Sequence, residues 1–234
     1  QIQVGDAKIP IITFQYGPDS DGLATVSSAE EEYLPIIKSS PKDYPEARIS
    51  PSKLTQTVDT DGESWGIMSQ FKTRINIKGK PAMDILGSAI HTYLGIDYAE
   101  LEEVEQMTVA RKIIKNWGMD TIVDPEEVVL AGQHLVEFLE KNYPGHKTYK
   151  EWPMSMRNQD GQVMQGWIDL LLETEAGYVI IDHKDYPGQD AIERAKKYTP
   201  QLKAYKEAVE TATGRPVIDI IIHLPVSGLF LKLF

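Results

Sequence analysis

Gly166-Trp167-Ile168-Asp169, followed about a dozen residues later by Tyr178-Val179-Ile180-Ile181-Asp182-His183-Lys184, is the stretch on which the reading of this chain turns. Each apolar run ends on a carboxylate, and the second continues into Asp-x-Lys. Paired as a hairpin, the two runs would bring Asp169, Asp182 and Lys184 to one spot, since residues i and i+2 of a strand share a face. Two carboxylates can hold a divalent cation that lowers the pKa of an attacking water and offsets charge building on phosphorus. A neighbouring lysine can orient or deprotonate that water, or neutralise the transition state. The alternative is an Asp–Lys ion pair at a buried strand end. Burying such charges as mere packing is expensive, which favours hydrolysis of a phosphodiester.

Working outward, strands are expected over 149–157, 162–173 and 177–182, with turns at Asn158-Gln159-Asp160-Gly161 and Glu175-Ala176-Gly177. The nearly continuous apolar run 178–182 suits a central strand covered on both faces. A further buried strand is expected over 217–224, and a final edge strand over 229–233. Ser50-Pro51-Ser52 offers a helix start. Apolar spacing predicts a helix over 83–94 and another over 108–117. Asp124-Pro125-Glu126-Glu127 opens a third, running to about Asn142. Residues 190–213 read as helix broken or kinked at Pro200, with Thr199 as a fresh cap. The order predicts an α/β fold, a mixed central β-sheet flanked by helices. Residues 1–48 read differently: a strand over 8–15, a turn cluster over 17–22, a short helix over 29–38 and a Pro- and Ser-rich linker over 39–46. They are expected to be the tail of a preceding domain plus linker, with the coherent domain spanning 49–234.

The chain has no cysteine, which excludes disulfides, thiol catalysis and thiolate-held zinc or iron–sulfur groups. Any metal must be held by oxygen and imidazole, favouring Mg²⁺ or Mn²⁺. No apolar window is long enough to span a membrane, and the lack of cysteine fits a cytoplasmic protein. Lacking an initiator Met at Gln1, the chain reads as an excised fragment or processed product. No Gly-x-x-x-x-Gly-Lys-Ser/Thr loop occurs, so no ATP site of that kind is expected. The net charge of −11 argues against a free-standing nucleic-acid binder but not against a domain handed its DNA by a larger machine. Lys72, Arg74, Lys78 and Lys80 form an acid-free basic stretch, and 97–105 carries five acids; both read first as solvated faces.

Gly87-Ser88-Ala89-Ile90-His91, Glu151, Asp169, Asp182-His183-Lys184 and Gln201-Leu202-Lys203-Ala204-Tyr205 occur in that order. In this series, residues 49–234 resemble the RecB/AddA-type nuclease domain of the PD-(D/E)xK superfamily, found at the C-terminus of UvrD-like helicases. The resemblance implies a restriction-endonuclease-like core and a metal held by His91, Asp169, Asp182 and the backbone carbonyl of His183. It makes Lys184 the catalytic lysine, and Asp182 and Asp169 its catalytic companions. Glu151 would support the site, and Gln201 and Tyr205 would face the site and the DNA backbone. It further implies Mg²⁺-dependent exonuclease action on single strands fed by upstream helicase domains, in double-strand-break repair and recombination. The partners it implies are DNA, the upstream helicase domains and a second nuclease/helicase subunit. No Pro precedes Asp169, so the literal superfamily motif is incomplete. The absence of cysteine sets aside the iron–sulfur branches. A catalytically inactive DNA-binding or docking module and a stand-alone phage-type exonuclease are the alternatives. The His183 side chain is expected to be structural and Tyr198 to be packing, while His134, His146 and His223 show no partner pattern.

Overall fold

The computed structural model describes residues 2–4, 7–9, 46–54, 64–158, 160–187 and 190–234. The chain divides into two compact units, 1–44 and 45–234. In the first, β1 (Ile2–Val4) and β2 (Ala7–Ile9) pair as an antiparallel hairpin. The expected strand beyond Ile9, the turn cluster 17–22, the helix 29–38 and most of the linker lie outside the described residues.

The second unit is built on one mixed sheet. Its strands are β3 (Arg48–Ile49), β4 (Trp65–Gln70), β5 (Lys147–Arg157), β6 (Val163–Glu173), β7 (Tyr178–His183), β8 (Val217–Leu224) and β9 (Leu229–Leu233). The spatial order is β3-β6-β7-β8-β9-β4, with β5 also paired to β6. β6 and β7 form the expected antiparallel hairpin, whereas β7 and β8 run parallel. That parallel step requires a crossover, supplied by α4 (Ala191–Thr213). The remaining helices are α1 (Met83–Leu94), α2 (Glu103–Asn116) and α3 (Pro125–Asn142). Asp124 caps α3 by accepting from the Glu126 amide at 3.0 Å.

Alternation along β7 explains the layering. Val179 and Ile181 pack with α1, α2 and α3 in one core. Ile180 packs with α4 in the other. All three are fully buried, and each such side chain contributes about 1.5–3 kcal/mol. A strand sandwiched between helical layers needs apolar residues at every position, which is why 178–182 shows no alternation.

Three local expectations are corrected. The 229–233 strand is not an edge: β9 lies between β8 and β4, and β4 is the end strand. α4 runs unbroken through Pro200. Losing one helical hydrogen bond there is offset by burial of Ala195, Leu202, Tyr205 and Val209 on either side, and by a 3.0 Å bond from Trp65 Nε1 to Thr199 Oγ1. At 50–52 only a 3₁₀ turn forms, Pro51–Lys53, and the Ser50 hydroxyl meets Ser52 Oγ at 2.8 Å instead of capping it.

Candidate active site

The β6–β7 hairpin stays paired as far as Leu170 opposite Ile181. One residue further, the strands part. There the His183 amide donates to Asp169 Oδ2 at 2.7 Å, so a side chain takes the place of the next ladder bond. β7 then ends with the Lys184 amide donating to the His223 carbonyl at 2.9 Å. Lys184 Nζ lies 2.6 Å from Asp182 Oδ2, the same-face placement expected of positions i and i+2. The contact is an ion pair without hydrogen-bond alignment, leaving the buried Oδ2 with no hydrogen-bond partner.

α1 brings His91 over this strand end. Its Nε2 is 3.0 Å from the His183 carbonyl oxygen and 3.5 Å from Asp185 Oδ2, and its Nδ1 is 4.0 Å from Asp169 Oδ2. Because a carbonyl only accepts, His91 Nε2 carries the proton in this arrangement. Gly87, one turn earlier on α1, permits the approach: a Cβ there would stand 2.8 Å from Asp185 Oδ2. The Gly-x-x-x-His spacing therefore pairs a clearance with the site histidine on one helical face.

Glu151 enters from β5. The β5–β6 register pairs Lys150 with Leu170 and Trp152 with Ile168, so Glu151 faces Asp169 without joining the ladder. It has φ 47°, the one non-glycine residue with positive φ among those described. Holding a non-glycine residue there costs on the order of 1–3 kcal/mol, and such strain is characteristic of functional sites. One donor atom each from His91, Glu151 and Asp169 lies within 4.8 Å of the other two.

Electrostatics follow from burial. Burial raises the Asp182 carboxyl, opposed by Lys184 and reinforced by Asp169. Burial would lower Lys184, but the Asp182 and Asp169 carboxylates outweigh it and hold the ammonium above its ordinary value. Burial pushes Asp185 up to about 7 despite His91 and Lys184. Its Oδ1 is buried without a hydrogen-bond partner. Glu151 is raised by burial and by Asp169. Burial first of all holds His183 and His223 well below their ordinary value, helped at His183 by His91, Lys184 and Lys150, so both are neutral. Their Nδ1 atoms meet at 3.0 Å. His223 in turn stacks on Phe230 at 4.3 Å, so the His183 ring belongs to the core beneath the site while its backbone faces the cleft.

On the α4 side, the Tyr198 ring lies 5.0 Å from Lys184 Nζ. Gln201 Nε2 donates to the Tyr205 hydroxyl at 3.0 Å, and both residues are buried. Burial raises Tyr205, whose phenol also feels Asp182 and Asp169.

The structure thus gathers His91, Glu151, Asp169 and the His183 carbonyl on one side, with Asp182 and Lys184 beside them and Gln201 and Tyr205 behind. The donors are imidazole and oxygen, the set that suits a hard divalent cation. With the proton on Nε2, His91 Nδ1, 4.0 Å from Asp169 Oδ2, is the nitrogen left to accept or ligate. The buried Asp185 Oδ1, which has neither a hydrogen bond nor an ion pair, leaves room for a further polar or cationic partner beside this set. These residues fit a divalent cation. Sequence reasoning did not name Asp185, whose one signal is that it directly follows the Asp-x-Lys motif. Tyr198 packs against the α4-side core as expected, with its ring also near Lys184, whereas His223, for which no partner was expected, pairs with His183.

A mixed sheet between helical layers, with an Asp-x-Lys strand end facing a histidine on a neighbouring helix, is the architecture of a nuclease core. The family model of the PD-(D/E)XK nuclease superfamily matches residues 69–232, and the chain belongs to that superfamily. More narrowly, it is a nuclease domain similar to a segment of the ATP-dependent helicase/nuclease subunits of several bacteria. The ATP-dependent helicase/nuclease subunit from Thermoanaerobacter sp. is 26% identical over 222 residues, covering 81% of this chain and 18% of the relative. That of Desulforamulus reducens is 34% identical over 164 residues, covering 61% and 13%. That of Clostridium botulinum is 33% identical over 81 residues, covering 35% and 6%. The chain therefore spans less than a fifth of the length of these relatives. Among the described residues, no helix is long and apolar enough to cross a membrane.

Proposed function

We propose that this chain is the Mg²⁺- or Mn²⁺-dependent DNA nuclease domain of an ATP-dependent helicase–nuclease. In this reading residues 1–48 are the tail of the helicase part plus linker, and 49–234 are the nuclease. It acts as an exodeoxyribonuclease on single strands delivered by the upstream motor, in cytoplasmic double-strand-break repair and recombination. Its partner is a second nuclease/helicase subunit. The observation that carries the reading is the convergence of His91, Glu151, Asp169 and the His183 carbonyl beside the Asp182–Lys184 pair.

His91, Asp169, Asp182 and the His183 carbonyl would hold the cation, with Glu151 close enough to join them. When bound, the cation lowers the pKa of water and offsets charge on the phosphoryl oxygens. Lys184 presents a fixed ammonium to the scissile phosphate or its attacking water, held in place by Asp182 and the Tyr198 ring. The amide of His183 fixes the Asp169 carboxylate in advance, so no reorganisation is needed at the moment of reaction. Gln201 and Tyr205 brace the α4 side from beneath.

Linear and circular single strands, labelled internally and incubated with Mg²⁺ or Mn²⁺, test the finer claims. An exonuclease degrades the linear form and spares the circle, while Asp182→Ala and Lys184→Ala leave both intact. Equal cleavage of circles would overturn the exonuclease assignment. Equal degradation by wild type and both variants would overturn the site.

A further inference from the structure

The segment between β4 and α1 is a fastened row of cations. Phe71 N donates to the Gly228 carbonyl at 2.8 Å, Ile75 N to Val226 at 3.2 Å and Lys78 N to Ile122 at 2.9 Å. Asn76 N donates to Glu127 Oε2 at 2.7 Å, and the Asn76 side-chain amide takes the other oxygen. Gly228, at φ 63°, lets the segment lie close, since a Cβ there would come within 2.7 Å of the Thr73 carbonyl. Exposure alternates along the row. Phe71, Thr73, Ile75 and Ile77 turn inward, and Lys72, Arg74, Asn76 and Lys78 turn out, followed by exposed Lys80. This is the two-residue period of extended chain, and it aims the cations into solvent from a backbone that cannot easily move.

None of Lys72, Arg74, Lys78 and Lys80 has an ion-pair partner among the described residues. Glu127, the acid that contacts this segment, is hydrogen-bonded to Asn76 instead of to any of the four cations. In a chain of net charge −11, four exposed cations within nine residues, with no acid among them, form a local positive line. The row also adjoins the cleft. Arg74 and Lys80 line a cavity of about 490 Å³ that is bounded by Met83 and Pro187. Met83 also borders the opening lined by His91, Lys184 and Asp185.

We infer that Lys72, Arg74, Lys78 and Lys80 bind successive phosphates of the strand being cut and lead it past Met83 to His91 and Lys184. This rests on the nuclease reading for its ligand, and it makes the acidic chain a DNA binder along one line only. Counter-ions released from that line give binding its salt dependence.

The test uses the full chain with all four cations changed to Gln, beside a control in which Arg111, Lys112, Lys115 and Lys141, all exposed elsewhere, are changed to Gln. Both lose the same net charge. Binding of fluorescent oligo(dT) is followed by anisotropy across a salt series in chelator, with unfolding midpoints as a check on folding. The row variant is expected to bind on the order of 10-fold more weakly, and its salt slope to fall by about 0.7 for each phosphate contact removed. The control is expected to track the parent. A row variant that binds like the parent, a control that loses as much, or a parent that does not bind would each overturn the inference. Metal-dependent hydrolysis of bis(p-nitrophenyl) phosphate by the parent, against Asp169→Asn, reports separately on the nuclease reading. Its absence would sink that reading while the binding data still decide the cation row.

Discussion

Neutralising one or both members of the Asp182–Lys184 pair separates its part in stability from its part in chemistry. The two side chains differ in exposure, 1% for Asp182 against 22% for Lys184. Lys184→Met strands a fully buried carboxylate that already feels Asp169. Removing one partner of a buried pair costs roughly 3–5 kcal/mol. Asp182→Asn leaves an ammonium that keeps the Tyr198 ring, the Asp169 charge and some water, so its cost is smaller, about 1–2 kcal/mol. The double variant strands nothing and is expected within about 1 kcal/mol of the parent. The Lys184→Met deficit also has a pH signature. Without its lysine, the folded-state pKa of Asp182 rises further above the unfolded value of about 4, so the native state binds a proton more readily. The deficit is therefore full above the folded pKa and fades as pH falls towards the ordinary carboxylate range. Urea unfolding in chelator at several pH values measures all three variants, and all three should lose metal-dependent cleavage. An Asp182→Asn cost equal to that of Lys184→Met, or a double variant as unstable as the sum of the singles, would refute the reasoning.

Glu151→Gly relieves the positive φ at position 151 and should raise stability by up to about 1 kcal/mol while weakening Mn²⁺ binding, read by urea unfolding and calorimetric titration. Phe230 lies between Phe138 at 3.9 Å and His223 at 4.3 Å, so Phe230→Ala should cost about 3–5 kcal/mol in the same unfolding assay. Asp185, raised to about 7 by burial, favours the protonated folded state. Metal-free stability should therefore fall as pH rises from about 4 towards that value, and Asp185→Asn should flatten the fall.

What was legible in the chain was whatever burial or a helical period writes directly. The run 178–182 announced a central strand because helices cover both of its faces, and 83–94 matched α1 because its apolar stripe faces the sheet. β4 escaped notice. It is a short end strand with Ile67 exposed and a register irregularity between Ile67 and Ser69, so neither face carries an apolar pattern. Missing it made β9 look like the edge. Pro200 misled because the local rule for proline is strong, yet the sheet-facing residues around it hold α4 continuous. Strand periodicity put Asp182 and Lys184 on one face, and the expected hairpin pairing brought Asp169 to them. Asp185 was not legible, because its burial comes from α1 closing at Gly87, a long-range contact without a local trace. The backbone of Glu151 was equally unreadable, since nothing in the residue type signals a positive φ.

The most direct test is cleavage of end-labelled single-stranded DNA by the full chain with Mg²⁺, with and without excess chelator, beside Asp169→Asn. Asp169 anchors the His183 amide and belongs to the donor cluster with His91 and Glu151. The account predicts degradation by wild type that stops with chelator and is absent in the variant. Degradation that persists in chelator, or that Asp169→Asn leaves unchanged, would contradict it.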